Sequence, residues 1–257
     1  MISALFIAMI GIYLLVGVAL AVFLVFLVTF PNRAAFLSKE ELQQVLVNDS
    51  DHFYSRFTDV DLHVRHVGSV DEYKAAIASS PCDISLWEAM RLQWLCSAAD
   101  RRFASYMRPG IDGSVASAIP WKIGFVRDEV YEEGLPHVRG DVIVLPKHII
   151  FSPDCLPTLI HEKVHVYQKM YPDLVQEYLA YNRFQRVANT FENMSNRANP
   201  DLDAHVYEDA NGEIMIAQYR ENPTGIRDVT YGSDGRDQMF EHPLEYMAYT
   251  IQEDLSI

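Results

Sequence analysis

Cysteine is scarce in this 257-residue chain, and the three that occur are widely separated. Cys82, Cys96 and Cys155 form no Cys-x-x-Cys pair, so the sequence contains neither a disulfide framework nor a cysteine-based structural zinc site. Clusters of Lys and Arg with interleaved aromatics are also missing, and the formal net charge is −14. Because a surface this acidic repels phosphate groups, we expect no nucleic-acid partner.

Charge is absent from the first 30 residues, where Leu, Val, Ile, Phe and Ala predominate. About 20 apolar residues cross a bilayer, whereas the apolar region of a cleaved signal peptide has about 7–15 residues after a basic start. The sequence therefore predicts a single-pass membrane protein, with a transmembrane anchor at residues 1–30 that contacts the lipid bilayer through residues 2–30. Arg33 and Lys39 follow this span and favour a cytoplasmic catalytic part, but two basic residues do not decide the side.

The rest of the chain divides at a loop rich in Gly, Ser and Pro that ends at Pro120. Residues 31–119 are predicted to be mainly helical, since Ser38 and Ser85 each begin a capping-box pattern. Residues 120–257 are predicted to contain the chemistry.

Within that second part, the sequence predicts strands at residues 121–126 and 141–145, because both stretches are rich in β-branched and aromatic residues. A long helix is expected at residues 173–192, a hairpin around Asn211-Gly212, and a closing helix that starts at Pro243. The expected fold class is α+β, mainly helical with a small β-sheet, preceded by the anchor.

The stretch His161-Glu-Lys-Val-His165 has the spacing of a zinc site. Residues four apart on a helix lie on one face, so both imidazoles reach one Zn²⁺, while Glu162 on the adjoining flank reaches a water on the metal. Zinc lowers the pKa of its bound water towards ~7, which makes the water a usable nucleophile. The surrounding residues are mostly apolar, which indicates a buried helix whose polar groups need partners. We therefore expect His161 and His165 to bind Zn²⁺ and Glu162 to act as the general base.

A catalytic zinc site usually takes a third protein ligand. Gln168 and Tyr171 exclude the pattern in which a third His follows on the same helix. A later carboxylate is therefore needed, and the acidic candidates are Glu177, Glu192, Glu208, Glu213, Glu221, Glu241 and Glu245. We favour Glu245, since it lies one turn into an apolar helix where a carboxylate requires a partner. Glu192 is the alternative.

Three segments, residues 141–146, 161–168 and 242–248, resemble gluzincin-type zinc metallopeptidases. The resemblance is to poorly characterised branches in particular, which have His-Glu-x-x-His-x-x-Gln and a later Glu-x-x-Ala. The resemblance covers roughly residues 120–253 and implies a zincin-like fold, with His161, His165 and Glu245 as metal ligands and Glu162 as base. The chain departs from thermolysin-like enzymes because it lacks their Asn-Glu-x-x-Ser-Asp ligand segment. Its interval between the second His and the third ligand is also much longer.

The expected function is peptide-bond hydrolysis of a peptide or protein substrate by a membrane-anchored enzyme. The group that stabilises the oxyanion is left open between Tyr219, Tyr231 and His242. The strand at 141–145 is expected to be either a cleft strand, to which an extended peptide adds, or an ordinary core strand. Two alternatives remain: a non-catalytic, membrane-tethered binding or assembly protein of zincin-like fold, and a zinc-binding but inactive relative of the proteases.

Overall fold

The structure, a computed structural model, describes residues 9, 11–14, 17, 34–128, 130–189, 195–232 and 240–256. From residue 34 onwards, the helices in this part of the chain are α1 (Lys39–Val47), α2 (Asp59–Val64), α3 (Val70–Ile77), α4 (Leu86–Phe103), α5 (Gly113–Ala118), α6 (Cys155–Met170), α7 (Pro172–Tyr181) and α8 (Pro243–Ser256). The strands are β1 (Ala35–Phe36), β2 (Met107–Arg108), β3 (Ile111–Asp112), β4 (Lys122–Val126), β5 (His137–Arg139), β6 (Val142–Pro146), β7 (Gln185–Asn189), β8 (His205–Glu208), β9 (Ile214–Met215), β10 (Ala217–Tyr219) and β11 (Val229–Tyr231).

Side-chain caps start α1 and α4 where the sequence predicts them. Ser38 accepts a hydrogen bond from the Glu41 backbone N–H, and the Glu41 carboxylate accepts one from the Ser38 N–H. Ser85 and Glu88 do the same at the start of α4. Each box satisfies N–H groups that a helix start leaves without intrahelical partners, so the predicted capping boxes are confirmed.

The central sheet has the strand order β1-β4-β6-β5. The first three strands run parallel, and β5 pairs antiparallel to β6 at the far edge. Every residue of β6 is buried, because its side chains alternate between two hydrophobic layers. Ile143 and Leu145 belong to the layer that contains α4 and α6, while Val144 belongs to the layer that contains α1.

The close approach of α1 to the sheet depends on Gly124 in β4. A Cβ atom on Gly124 would lie 2.5 Å from the Leu42 side chain, which is inside van der Waals contact. On the opposite face of the sheet, α6 packs against α4, β5 and β6 and most extensively against α8. This arrangement buries α6 almost completely and sets α8 beside it.

The predicted transmembrane anchor is wrong. Among the described residues no helix has both the length and the apolarity that a bilayer crossing needs. The longest, α4, has 18 residues but carries charged side chains from Glu88 to Arg102. Of the first 30 residues, the described ones (9, 11–14 and 17) are helical. The predicted single-pass membrane localisation is therefore also wrong. The α+β fold class predicted for the remainder of the chain agrees with the helices and strands given above.

By its internal contacts the chain divides into two units, Met1–Arg33 and Ala34–Ile257.

The long helix predicted at residues 173–192 is also wrong. Helix α7 ends at Tyr181, and β7 begins at Gln185 and pairs antiparallel with β8. Arg183 between them has a φ of 61°, which breaks the helix. The strands predicted at 121–126 and 141–145, the hairpin at Asn211-Gly212 and the closing helix are confirmed to within a few residues.

Candidate metal centre

The two histidines of the predicted motif lie on the same face of α6. Their imidazole rings are 4.8 Å apart between centroids, and the two Nε2 atoms lie 3.0 Å from each other. Both side chains are almost fully shielded from solvent. The four-residue helical spacing therefore places two nitrogen donors side by side in a buried setting.

Glu245 joins them from the first turn of α8. One carboxylate oxygen, Oε2, is 3.3 Å from His161 Nε2, and the other, Oε1, is 3.6 Å from His165 Nε2. The three donor atoms all lie within 4.8 Å of one another. The structure thus brings together all three residues that the sequence analysis selected. The alternative, Glu192, lies outside the described residues.

The spacing of these donor atoms fits a tetrahedral zinc site. Two ligand atoms at about 2.0–2.1 Å from a tetrahedral zinc lie about 3.3–3.4 Å from each other. The two Nε2 atoms are 3.0 Å apart, and the carboxylate contacts, 3.3 Å from Oε2 to His161 and 3.6 Å from Oε1 to His165, are close to that value. A His₂Glu set is also one of the ligand sets that catalytic zinc takes, with a fourth position open for water.

The charges around the three side chains favour a cation between them. Burial alone would lower the pKa of His165, but the Asp201 and Glu245 carboxylates outweigh burial and raise it to about 10. Burial would raise the pKa of Glu245, but the charge of His165 and the contacts with both imidazoles hold it well below its ordinary value. In the protein alone a proton therefore supplies the positive charge on His165, and a bound metal ion would replace it.

A buried glutamine holds His165 in place. Gln168 Oε1 lies 2.8 Å from His165 Nδ1, and Gln168 Nε2 donates to the backbone oxygen of Leu244 over 2.9 Å. Leu244 immediately precedes Glu245 in α8. One side chain on α6 therefore contacts both a candidate ligand and the turn that carries another.

Glu162 lies beside the donor cluster, and its Oε2 is buried without a hydrogen-bond partner among the described residues. Burial raises the pKa of Glu162 well above its ordinary value, and repulsion from the Asp201 carboxylate acts in the same direction. A dication nearby would act in the opposite direction, because positive charge favours the carboxylate form. The arrangement suits a group that takes up a proton next to a metal ion.

The cluster opens into a cleft of about 690 Å³. His161, Glu162 and Glu245 line it, and rings of Tyr231 and Tyr249 contribute to its wall. Tyr249 packs edge-on against the His161 ring with centroids 4.5 Å apart. A cleft of this size is typical of small-molecule and peptide sites.

The three oxyanion candidates are placed differently. The Tyr219 hydroxyl donates to buried Asp61 over 2.8 Å, and His242 contacts Asp203 and the Leu244 N–H. Of the three, only Tyr231 is among the described residues that line the cleft. Tyr249 was not predicted from the sequence, although its position four residues after Glu245 on a helix places both side chains on one face.

The strand at 141–145 is not an open edge. In the sheet β6 lies between β4 and β5, so a substrate has no free side to pair with. The outer strand is β5, and its outward peptide groups at Val138 are already occupied. The Val138 N–H donates to Asp201 Oδ1 over 2.6 Å, and the Val138 oxygen accepts from Lys169 Nζ over 2.7 Å. Addition of a peptide strand at Val138 is therefore blocked.

A second amide lies on the cleft side of the cluster. Asn199 Nδ2 donates to Glu241 Oε1 over 2.9 Å and lies 3.4 Å from Glu245 Oε1. Arg197 also donates to Glu241 Oε1. Asn199 therefore bridges two carboxylates, and the Arg197 guanidinium offsets part of their charge.

Comparisons with protein-family models, with curated proteins and with solved structures find no match to this chain. The geometry of the cluster is therefore the basis for a functional assignment.

Proposed function

We propose that this chain is a zinc-dependent metallopeptidase that hydrolyses peptide bonds. The observation that carries the proposal is the convergence of His161 Nε2, His165 Nε2 and the Glu245 carboxylate within 4.8 Å, at the wall of a cleft that also contains Glu162. His161 and His165 would bind the metal through nitrogen and Glu245 through oxygen.

When bound, zinc supplies Lewis-acid chemistry: it lowers the pKa of water and polarises a carbonyl group. The chain itself supplies the proton transfer. Glu162 would take a proton from the attacking water at its carboxylate and deliver it to the leaving amine, as a general base and then a general acid. Its burial beside Asp201 supports the first step, since a raised pKa favours uptake of the proton from water.

The hydroxyl groups of Tyr231 and Tyr249 are the candidates for steadying the developing oxyanion, because both side chains line the same cleft as Glu162. The cleft, rather than a sheet edge, would hold the substrate backbone, since Asp201 and Lys169 occupy the outward peptide groups of β5.

The test uses the full 257-residue chain and two substitutions. Glu162→Gln should reduce the cleavage rate of an unstructured protein substrate by about 10²–10⁴-fold, the usual contribution of general acid–base catalysis, while one equivalent of zinc stays bound. Glu245→Ala should lower the zinc stoichiometry after dialysis, measured by elemental analysis. Glu177→Gln on the exposed side of α7 is the matched control and should change neither quantity.

Cleavage by Glu162→Gln at the rate of the control would refute the role of Glu162. A full equivalent of zinc in Glu245→Ala would remove Glu245 from the site. A wild-type chain that binds zinc but cleaves no peptide would fit the alternative of a zinc-binding but inactive relative of the proteases, and one that binds no zinc would fit the binding or assembly protein.

A further inference from the structure

Gln168 on α6 hydrogen-bonds both a candidate metal ligand and the helix that carries another. It is buried, three residues after His165 on α6, and its amide spans the gap to α8. The two amide contacts, at 2.8 and 2.9 Å, have ordinary hydrogen-bond lengths.

The direction of these two bonds follows from the chemistry of their ends. The backbone oxygen of Leu244 can only accept a hydrogen bond, so the NH₂ of the Gln168 amide must face it. The Gln168 Oε1 must then face His165, and because this oxygen can only accept, His165 Nδ1 must carry a proton.

A proton fixed on Nδ1 leaves Nε2 as the nitrogen for metal binding. His165 Nε2 is the atom that lies 3.0 Å from His161 Nε2 and 3.6 Å from Glu245 Oε1. Partners behind a ligating imidazole fix its tautomer and ring orientation in this way. The Oε1 atom of Gln168 therefore orients His165 so that its Nε2 faces His161 and Glu245.

The Nε2 atom of Gln168 restrains Glu245 indirectly, through the backbone of α8. Leu244 and Glu245 are neighbours in the first turn of α8, so a bond to the Leu244 oxygen limits the rotation and sliding of this turn relative to α6. His165 and Glu245 are 80 positions apart in sequence, and the amide couples the two positions directly.

We infer that Gln168 is a positioning residue that holds His165 and Glu245 in register for one metal ion. This inference rests on the proposed function for its metal, but one consequence is independent of metal: Nδ1 of His165 carries a protected proton in the metal-free chain.

The test compares Gln168→Met, which removes both bonds at similar length, with Gln168→Glu, which keeps an acceptor for His165 and loses the donor to Leu244. Gln176→Met, the same substitution at an exposed position of α7, is the control. Zinc affinity is measured by competition with a chromophoric chelator. The His165 Nδ1 proton is followed by ¹H–¹⁵N correlation spectra of the imidazoles in metal-free protein.

Gln168→Met should weaken zinc binding by about 10–100-fold relative to the control, the usual effect of losing such an outer partner. The Nδ1 proton should be protected from exchange in the wild-type chain and in Gln168→Glu, and should exchange fast in Gln168→Met. Should Gln168→Met not fold, Gln168→Ala replaces it with the same expectations, since it also removes both amide contacts.

Zinc affinity in Gln168→Met within about threefold of the control would overturn the inference, since an outer partner is expected to contribute at least about 10-fold. An equally protected Nδ1 proton in that variant would overturn it as well. A wild-type chain that binds no zinc would instead refute the proposed function. The proton measurement would then still decide whether Gln168 orients His165, because it is made without metal.

Discussion

Lys163 lies between the two histidines in sequence but contacts a different part of the protein. Its ammonium group donates to the backbone oxygen of Ile119, lies 3.4 Å from Asp100 Oδ1 and sits 4.0 Å above the Trp121 ring. The Lys163 side chain is only 1% exposed and that of Asp100 is 13% exposed. This buried pair ties α6 to α4, so its removal tests what holds the candidate metal helix in place.

The expected cost of Lys163→Met follows from these contacts. At 3.4 Å and an effective dielectric constant of about 20, the attraction between the charges is about 5 kcal/mol before desolvation. Burial lowers the pKa of Lys163 and raises that of Asp100, so desolvation consumes much of this attraction. Removing only the lysine leaves Asp100 buried without its cation, which costs about 3–5 kcal/mol in comparable sites.

The double variant Lys163→Met with Asp100→Asn separates the two contributions. The carboxamide introduced at position 100 would still accept a hydrogen bond from Trp121 Nε1, which in the wild-type chain lies 3.0 Å from each Asp100 oxygen. Without an uncompensated charge, the double variant should lie within about 1–2 kcal/mol of the wild-type chain, because replacing both members of a buried pair is often nearly neutral.

The assay is urea unfolding followed by circular dichroism, with the free energy of unfolding taken from linear extrapolation. Lys122→Met is the matched control: Lys122 pairs with Asp141, and since about half of each side chain is exposed, its loss should cost less than about 1 kcal/mol. The reasoning is refuted if Lys163→Met costs no more than this control, or if the double variant is no more stable than Lys163→Met.

Two further predictions concern pH and the cleft. Burial lowers the pKa of Lys169 to about 8 from an ordinary 10.5. Between these values the folded chain binds fewer protons than the unfolded one, so this lysine should make the free energy of unfolding rise with pH. Urea unfolding at about pH 8 and about pH 10 measures this increase, and Lys169→Met should remove it. A variant whose free energy of unfolding still rises as in the wild-type chain would contradict the prediction. Asn199→Ala should weaken zinc binding about 10-fold, because Glu245 loses a neighbour that also bonds Glu241. Asn211→Ala in the exposed hairpin turn is the control. Equal zinc affinities of the two variants would show that the contacts of Asn199 with Glu241 and Glu245 do not contribute to metal binding.

Local spacing explains why the first half of the site could be predicted from sequence. His161 and His165 are one helical turn apart, and α6 has a clear end at Tyr171-Pro172. Their shared face is a property of the helix, whatever it packs against. Gln168 is likewise within reach of His165 by its spacing of three, but its second partner, Leu244, belongs to another helix and has no local signature.

The helix predicted at residues 173–192 was wrong for a different reason. Residues 182–192 continue a helical pattern in the sequence, but Arg183 adopts a positive φ and Gln185–Asn189 pairs with β8. Pairing between distant strands overrides local propensity there. Tyr219 was a reasonable oxyanion candidate by residue type, yet its hydroxyl is bonded to Asp61 of α2, a contact between residues 158 positions apart.

The transmembrane interpretation rested on composition alone. A run of apolar residues meets the length requirement for a bilayer crossing, but crossing also requires one continuous helix, and no described helix has the necessary length and apolarity. Composition measures the first condition and not the second.

The sequence by itself determined the pair of histidines, the adjoining glutamate and the buried character of the helix that carries them, because these properties depend on residues within two turns of one another. Only the tertiary structure decided that Glu245 reaches both imidazoles, that Gln168 and Asn199 hold the cluster on two sides, and that Asp201 and Lys169 occupy the sheet edge. These contacts join residues far apart in the chain. They exist because burial of α6 against α8 and the sheet brings those residues within hydrogen-bond distance.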